Sequence, residues 1–85
     1  MSSLGKEVIL HKARINEKKN RLSDLDCKAE NYIIILRDII DPSIEDSNDL
    51  NLHRAKITLE DFIALNEEKA ALKASIAKLE RELNG

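Results

Sequence analysis

Glycine, proline and aromatic residues are nearly absent from this sequence. Of its 85 residues, two are glycine, one is proline and two are aromatic. A multi-stranded sheet needs glycine and proline at its turns and favours aromatic side chains in its strands. Alanine, glutamate, lysine, leucine and isoleucine dominate instead, as they do in long helices and coiled coils. The composition therefore predicts an all-α protein.

Cysteine pairs and long hydrophobic runs are also missing. Cys27 is the single cysteine, so no intramolecular disulfide forms, and a reducing cytoplasm fits the chain best. The longest apolar run, Tyr32 to Leu36, is far shorter than the roughly 20 residues of a membrane span. The N-terminus carries no continuous apolar leader segment. We expect a cytoplasmic protein with no membrane partner.

Residue patterns for catalysis, cofactor binding and metal binding are not found. The sequence has no glycine-rich phosphate loop, no HExxH and no serine, histidine and aspartate set with a plausible pocket. His11 and His53 lie far apart in the predicted architecture and Cys27 falls at an outward heptad position, which argues against a metal site. We interpret His11 as a packed polar residue that helps to set register. The prediction is a protein that is not an enzyme and has no cofactor or small-molecule substrate.

The first half of the chain spaces its seam residues alternately three and four apart. The seam positions are Leu4, Val8, His11, Ile15, Lys18, Leu22, Leu25, Ala29, Tyr32, Leu36 and Ile39. This spacing is the heptad pattern of a helix that packs along one stripe. Because proline disfavours a helical residue before it, the Asp41–Pro42 step predicts a helix over about 4–40.

The second half repeats the pattern after a polar connection at about 41–48. Its seam positions are Leu52, Ala55, Thr58 or Leu59, Phe62, Leu65, Lys69, Leu72, Ile76, Leu79 and Leu83. A helix over about 49–84, capped by Ser47, Asn48 or Asp49, accounts for this rhythm. Thr58, with Asp61 three residues later, offers a competing start that resembles a capping box.

One antiparallel register brings both stripes together. The numbers of paired residues add up to 90 or 91 throughout, so that Val8 faces Leu83, Leu22 faces Lys69 and Leu25 faces Leu65. The prediction is a single domain over 1–85, a long coiled-coil-like helical hairpin. Two helices of about 35 residues at about 1.5 Å per residue make a rod of roughly 50 Å.

Apolar residues near the connection cover most of the helix circumference, which is typical of a helix surrounded by others. A second copy completing a four-helix bundle is the simplest cover, and another helical protein is a further possible partner. The predicted interaction residues are Tyr32, Ile33, Ile34, Ile35, Ile39, Ile40, Leu59 and Ile63. We expect a self-associating homodimer that acts as a small adaptor or regulatory factor. A strand at 32–35 is the competing interpretation, because tyrosine and isoleucine favour extended structure.

A basic segment near the N-terminus supports an alternative function. Residues 1–22 carry a net charge of +4, residues 23–51 carry −6, and the remainder is neutral. The possible nucleic-acid contacts are Lys12, Arg14, Lys18, Lys19 and Arg21. Dimeric helical hairpins of the Rop type bind RNA, which is an analogy of architecture only. Glutamates on the opposing helix are expected to neutralise much of this segment, namely Glu67, Glu68, Glu80 and Glu82.

Overall fold

Two long helices lie antiparallel and form a hairpin. The computed structural model describes residues 3–84, with side chains described from residue 5 onward. Helix α1 spans Ser3–Ile39, a short 3₁₀ helix spans Ser47–Asp49, and helix α2 spans Leu52–Asn84. The predicted all-α helical hairpin is confirmed. Over 32–35 the chain is helical, so the strand interpretation is wrong.

The rod is longer than the sequence predicts. Its extents are 69 × 16 × 15 Å, against the roughly 50 Å expected from about 35 residues per helix. At 37 residues, α1 alone is about 55 Å long, and the connection extends beyond the helix ends. The predicted seam position Leu4 lies outside the described side chains.

Helix α1 ends where proline stops it. Its last helical hydrogen bond runs from the Ile40 N–H to the Leu36 carbonyl at 2.9 Å. Asp41 then turns the chain, because its side-chain oxygen accepts from the Ser43 N–H at 2.9 Å and its carbonyl accepts from the Ile44 N–H at 3.0 Å. Among the described residues none adopts a positive φ. The connection is therefore built without the left-handed turns for which glycine is usually required.

The cap of α2 is not one of the predicted residues. Asn51 caps it, accepting the Arg54 N–H on its Oδ1 at 3.0 Å. Ser47 and Asn48 belong to the preceding 3₁₀ helix, which Asp46 caps at 2.9 Å. The competing start at Thr58 is wrong, since this residue lies inside α2 and its hydroxyl donates to the Arg54 carbonyl at 2.8 Å.

The core is the seam between the helices. The buried residues of the described chain are Ile15, Leu25, Ala29, Ile39, Ala55, Thr58, Leu65 and Ile76, and each is a predicted seam position. Leu25, Ala29 and Leu65 form the central cluster, against which Tyr32, Phe62 and Leu72 pack. The core is one layer of side chains thick, because only two helices enclose it.

Burial settles one ambiguity in the second stripe and shows that one predicted seam position is wrong. Thr58 enters the seam at 7 % exposure, whereas Leu59 lies beside it at 46 %. Leu52 was predicted in the seam but is 58 % exposed. The reason is the heptad phase set by Ala55 and Thr58, which places position 51 in the seam and turns Leu52 to one side.

Lys69 occupies a seam position without burying its charge. Its side chain is 21 % exposed, and its Nζ lies 2.6 Å from Asp26 Oδ1, whose side chain is 56 % exposed. The aliphatic stem therefore covers the seam while the ammonium group reaches the surface.

Replacing Leu25 with alanine tests the seam at its centre. Leu25 is 2 % exposed, so Leu25→Ala should lower the free energy of unfolding by about 2 to 3 kcal/mol through lost contacts and a cavity. Leu10→Ala is the matched control, because Leu10 is 54 % exposed in the same helix. Urea unfolding followed by circular dichroism measures both. Equal effects would contradict the seam.

Replacing Lys69 with leucine tests the register. Leucine at this position buries apolar surface worth about 1 to 2 kcal/mol, and the ion pair lost with exposed Asp26 is worth less than about 1 kcal/mol. Lys69→Leu should therefore raise the melting temperature. Lys78→Leu, at an exposed position of the same helix, should leave it nearly unchanged. A melting temperature lowered by Lys69→Leu would count against the register.

Candidate interaction surface

Two flanks border the seam, one on each face of the hairpin. An ion pair of 3.2 Å between Lys19 and Glu80 crosses the seam on one face. Another, of 3.0 Å between Arg21 and Glu68, crosses on the opposite face. These pairs occupy the two different heptad positions that adjoin a seam in an antiparallel pair of helices. They identify which residues of α1 and α2 share a face.

The face of Lys19 and Glu80 carries large aliphatic side chains toward the connection, where Glu30 and Arg37 border Ile33 on α1. Ile33 and Ile40 occupy the heptad position of Lys19, and Leu52 and Leu59 occupy that of Glu80. We call this surface the apolar flank. Its members are Ile33, Ile40, Leu52, Leu59 and Ile63. Their side chains are 38 to 58 % exposed, so the hairpin itself covers only about half of each one.

The predicted interaction residues divide among four environments. Ile39 is buried in the seam, and Tyr32 packs there with its ring centroid 5.7 Å from that of Phe62. Ile35 is half-buried at the edge of the seam. Ile34 is 62 % exposed on the outer side of α1. The apolar flank brings together the remaining four, Ile33, Ile40, Leu59 and Ile63.

Sequence reasoning missed one member of the apolar flank. Leu52 was assigned to the seam, although its spacing of three from Ala55 and six from Thr58 places it one position outside the heptad pattern. Counting the heptad phase back from Thr58 and Leu65 identifies it. Leu52 therefore extends the apolar surface to the very start of α2.

The opposite face is bordered by charge. We call it the charged flank. It holds a shallow groove of about 210 Å³ above the seam. The charged residues that line the groove are Arg21, Lys28, Asp61 and Glu68. Arg21 donates from Nε and Nη2 to the two carboxylate oxygens of Glu68, at 3.0 and 3.4 Å. Such a rim is poorly suited to an apolar partner, because contact would strip water from charged groups.

The basic segment is partly neutralised by α2. Lys19 and Arg21 each pair with a glutamate of the opposing helix. Lys18 is half-buried in the seam. Lys12 and Arg14 are exposed. The predicted neutralisation by glutamates is thus observed at Glu68 and Glu80.

His11 links the two helices near their termini. Its Nδ1 lies 3.0 Å from the Glu7 carbonyl oxygen, and its Nε2 lies 3.1 Å from Glu82 Oε2. Both oxygens can only accept, so both contacts are hydrogen bonds only when the ring carries two protons. The hydrogen bond to the Glu7 carbonyl and then the one to Glu82 raise the pKa of His11 above its usual value, against opposing effects of desolvation and Arg14.

Metal-binding groups and membrane-spanning segments are both absent from the part of the chain that the structure describes. Over residues 3–84, no three histidine, cysteine, aspartate or glutamate side chains are grouped to hold a metal ion. Cys27 is an exposed thiol. Neither α1 nor α2, as far as they are described, contains a stretch apolar enough to cross a membrane.

The His11 contacts predict a pH-dependent stability. A pKa raised on folding stabilises the folded state fully below the unfolded value near 6.5, and this contribution is lost as the pH rises through the folded pKa. His11→Gln should therefore lower the melting temperature more at pH 5.5 than at pH 8.5. Thermal unfolding of both proteins across this range gives the comparison.

Glu82→Gln is the control for this effect. It keeps the size of the residue at position 82 but removes one cause of the raised pKa. The pH dependence attributable to His11 should then shrink. If His11→Gln lowers the melting temperature equally at both pH values, the doubly protonated ring does not contribute to the stability of the hairpin.

Comparison of the chain with protein-family models, with curated proteins and with solved structures found no match.

Proposed function

We propose that this protein is a non-enzymatic interaction module, a helical hairpin that self-associates through its apolar flank and serves as a small adaptor or regulatory factor. The observation that carries the proposal is the cluster of half-exposed large aliphatic side chains on one face near the connection. Contiguous apolar surface of this kind marks interaction sites in proteins. A second copy of the chain is the occupant we propose.

The total surface of the hairpin supports an additional partner. The chain exposes 6593 Å², whereas a compact monomer of 9.6 kDa exposes about 5,100 Å². The excess of about 1,500 Å² exceeds the roughly 800 Å² that each partner buries in a standard protein–protein interface. The area needed for a stable dimer is therefore present.

The apolar flank can provide the energy of association. Each of its five side chains is about half exposed, and covering the exposed half is worth on the order of 1 kcal/mol per side chain. Two copies contribute in a symmetric interface, because the same patch is used twice. The charged flank offers no comparable apolar cluster.

Nucleic-acid binding, the alternative drawn from the sequence, has less support. Two of its five basic residues, Lys19 and Arg21, are held in ion pairs with glutamates of the same chain. Each such glutamate cancels the charge that a phosphate would meet. The two aromatic rings, Tyr32 and Phe62, pack on each other and are not displayed for base stacking.

Paired substitutions on α2 test self-association. Leu59 and Ile57 are each 46 % exposed, but Leu59 lies on the apolar flank and Ile57 on the charged flank. Leu59→Lys should weaken the dimer at least about tenfold, because lysines from both copies would enter the interface. Ile57→Lys should leave it intact. Size-exclusion chromatography with light scattering over a concentration series gives the mass and the dissociation constant.

Circular dichroism on both variants establishes that the hairpin still folds. The unmodified protein is expected at twice its chain mass of 9.6 kDa. A folded monomer at high micromolar concentration would overturn the proposal. Equal weakening by the two substitutions would show that the apolar flank is not the interface.

A further inference from the structure

The apolar flank covers only part of the area that a stable dimer buries. On α2 it extends from Leu52 to Ile63, which is about 16 Å along the helix axis, and the hairpin is 16 Å wide. A contact confined to this area covers roughly 300 Å² per partner, below the roughly 800 Å² of a standard interface. A stable dimer therefore requires overlap along most of the 69 Å rod.

Two symmetric arrangements give overlap along the whole rod. If the two-fold axis runs across the rods, the connection of one copy lies over the chain termini of the other. If the axis runs along the rods, the two connections lie side by side. In both cases the same face of each hairpin is used, as two-fold symmetry requires.

The charges on this face distinguish the two arrangements. Toward the termini, the positions of this face that adjoin the seam carry Lys12, Lys19 and Lys73 together with Glu80, and exposed Ile9 lies farther out on the same side. With the axis across the rods, these lysines would lie against the isoleucine and leucine side chains of the other copy, and burying them there is costly. With the axis along the rods, apolar flank meets apolar flank, and Lys12 comes level with Glu80 of the second copy.

One further feature of this face favours the arrangement along the rods, and one opposes it. Ala70 and Ala77 lie on α2 toward the termini, and their small side chains allow helices to approach closely. Lys19 of one copy comes level with Lys73 of the other, and the two like charges repel each other. The Glu80 carboxylate, which already pairs with Lys19 at 3.2 Å, offsets part of this repulsion.

We infer that two copies associate side by side along their whole length, with both connections at the same end and the two-fold axis parallel to the rods. The inference rests on the proposed self-association and adds the orientation and register of the partner. In the resulting four-helix bundle, α1 of each copy packs on α2 of the other. Ile33 of one chain then lies against Leu59 of the second.

Distances between spin labels measure this arrangement directly. The single cysteine allows a Cys27→Ser background into which one labelled cysteine is introduced at a time. Ser47→Cys places a label at the connection, and Arg81→Cys places one near the termini, both at exposed positions away from the apolar flank. Pulsed double electron–electron resonance gives the separation of the two labels in the dimer, and dilution with unlabelled protein confirms that the coupling is between chains.

The expected result is a short separation at both positions. Neighbouring helices are about 10 Å apart, so both label pairs should lie within about 35 Å. With the axis across the rods and full overlap, both separations are about 50 Å. With overlap of the connection ends only, the Ser47→Cys labels are about 30 Å apart and the Arg81→Cys labels about 75 Å apart. Either of these patterns overturns the inference.

Failure of the inference can be told apart from failure of the proposed function. Light scattering on the Cys27→Ser protein reports whether a dimer forms at all. A monomer with no coupling between labels removes both proposals. A dimer with long separations keeps self-association and removes only the side-by-side orientation.

Discussion

The exclusion of water between two antiparallel helices is the constraint on which the rest of this structure depends. Leu25, Ala29 and Leu65 are the centre of that dry contact, and it is one side chain thick. A pair of helices has no third element to close its sides. The seam is therefore bordered by two flanks that remain open to solvent. The polarity of each flank determines which kind of partner can bind there.

Much of this architecture is predictable because the heptad pattern is a direct consequence of helix geometry. The spacing of Ile15, Leu25 and Ile76 predicts their burial, and the common register of the two stripes predicts the antiparallel pairing. The start of α2 was less predictable, since four neighbouring polar residues offer similar capping chemistry and small differences in turn geometry select Asn51. Thr58 resembles a cap because threonine is common at helix starts. In the structure its hydroxyl donates a hydrogen bond to the Arg54 carbonyl one turn earlier in the same helix.

The apolar surface was predictable in composition and less so in detail. The run from Tyr32 to Ile35 indicates a helix that is apolar all round, but composition does not assign each residue to the seam or to a flank. That assignment depends on the phase of the helix against its partner, which sends Tyr32 inward and leaves Ile34 outside. The individual ion pairs were not predictable for a similar reason, because several glutamates of α2 lie within reach of each basic residue of α1.

Apolar and charged side chains are separated on this hairpin in two directions, and the separation limits its function. Across the rod, the flank with Arg21 and Glu68 is kept hydrated by its charges while the other flank exposes aliphatic side chains. Along the rod, that second flank carries a cluster of aliphatic side chains near the connection, and near the termini it carries three lysines and the exposed Ile9. A partner must be complementary to the distribution of apolar and charged side chains both across and along the rod. A second copy placed side by side is complementary by symmetry, because each level of the rod then meets the same level of an identical chain, apolar against apolar at one end and Lys12 against Glu80 at the other.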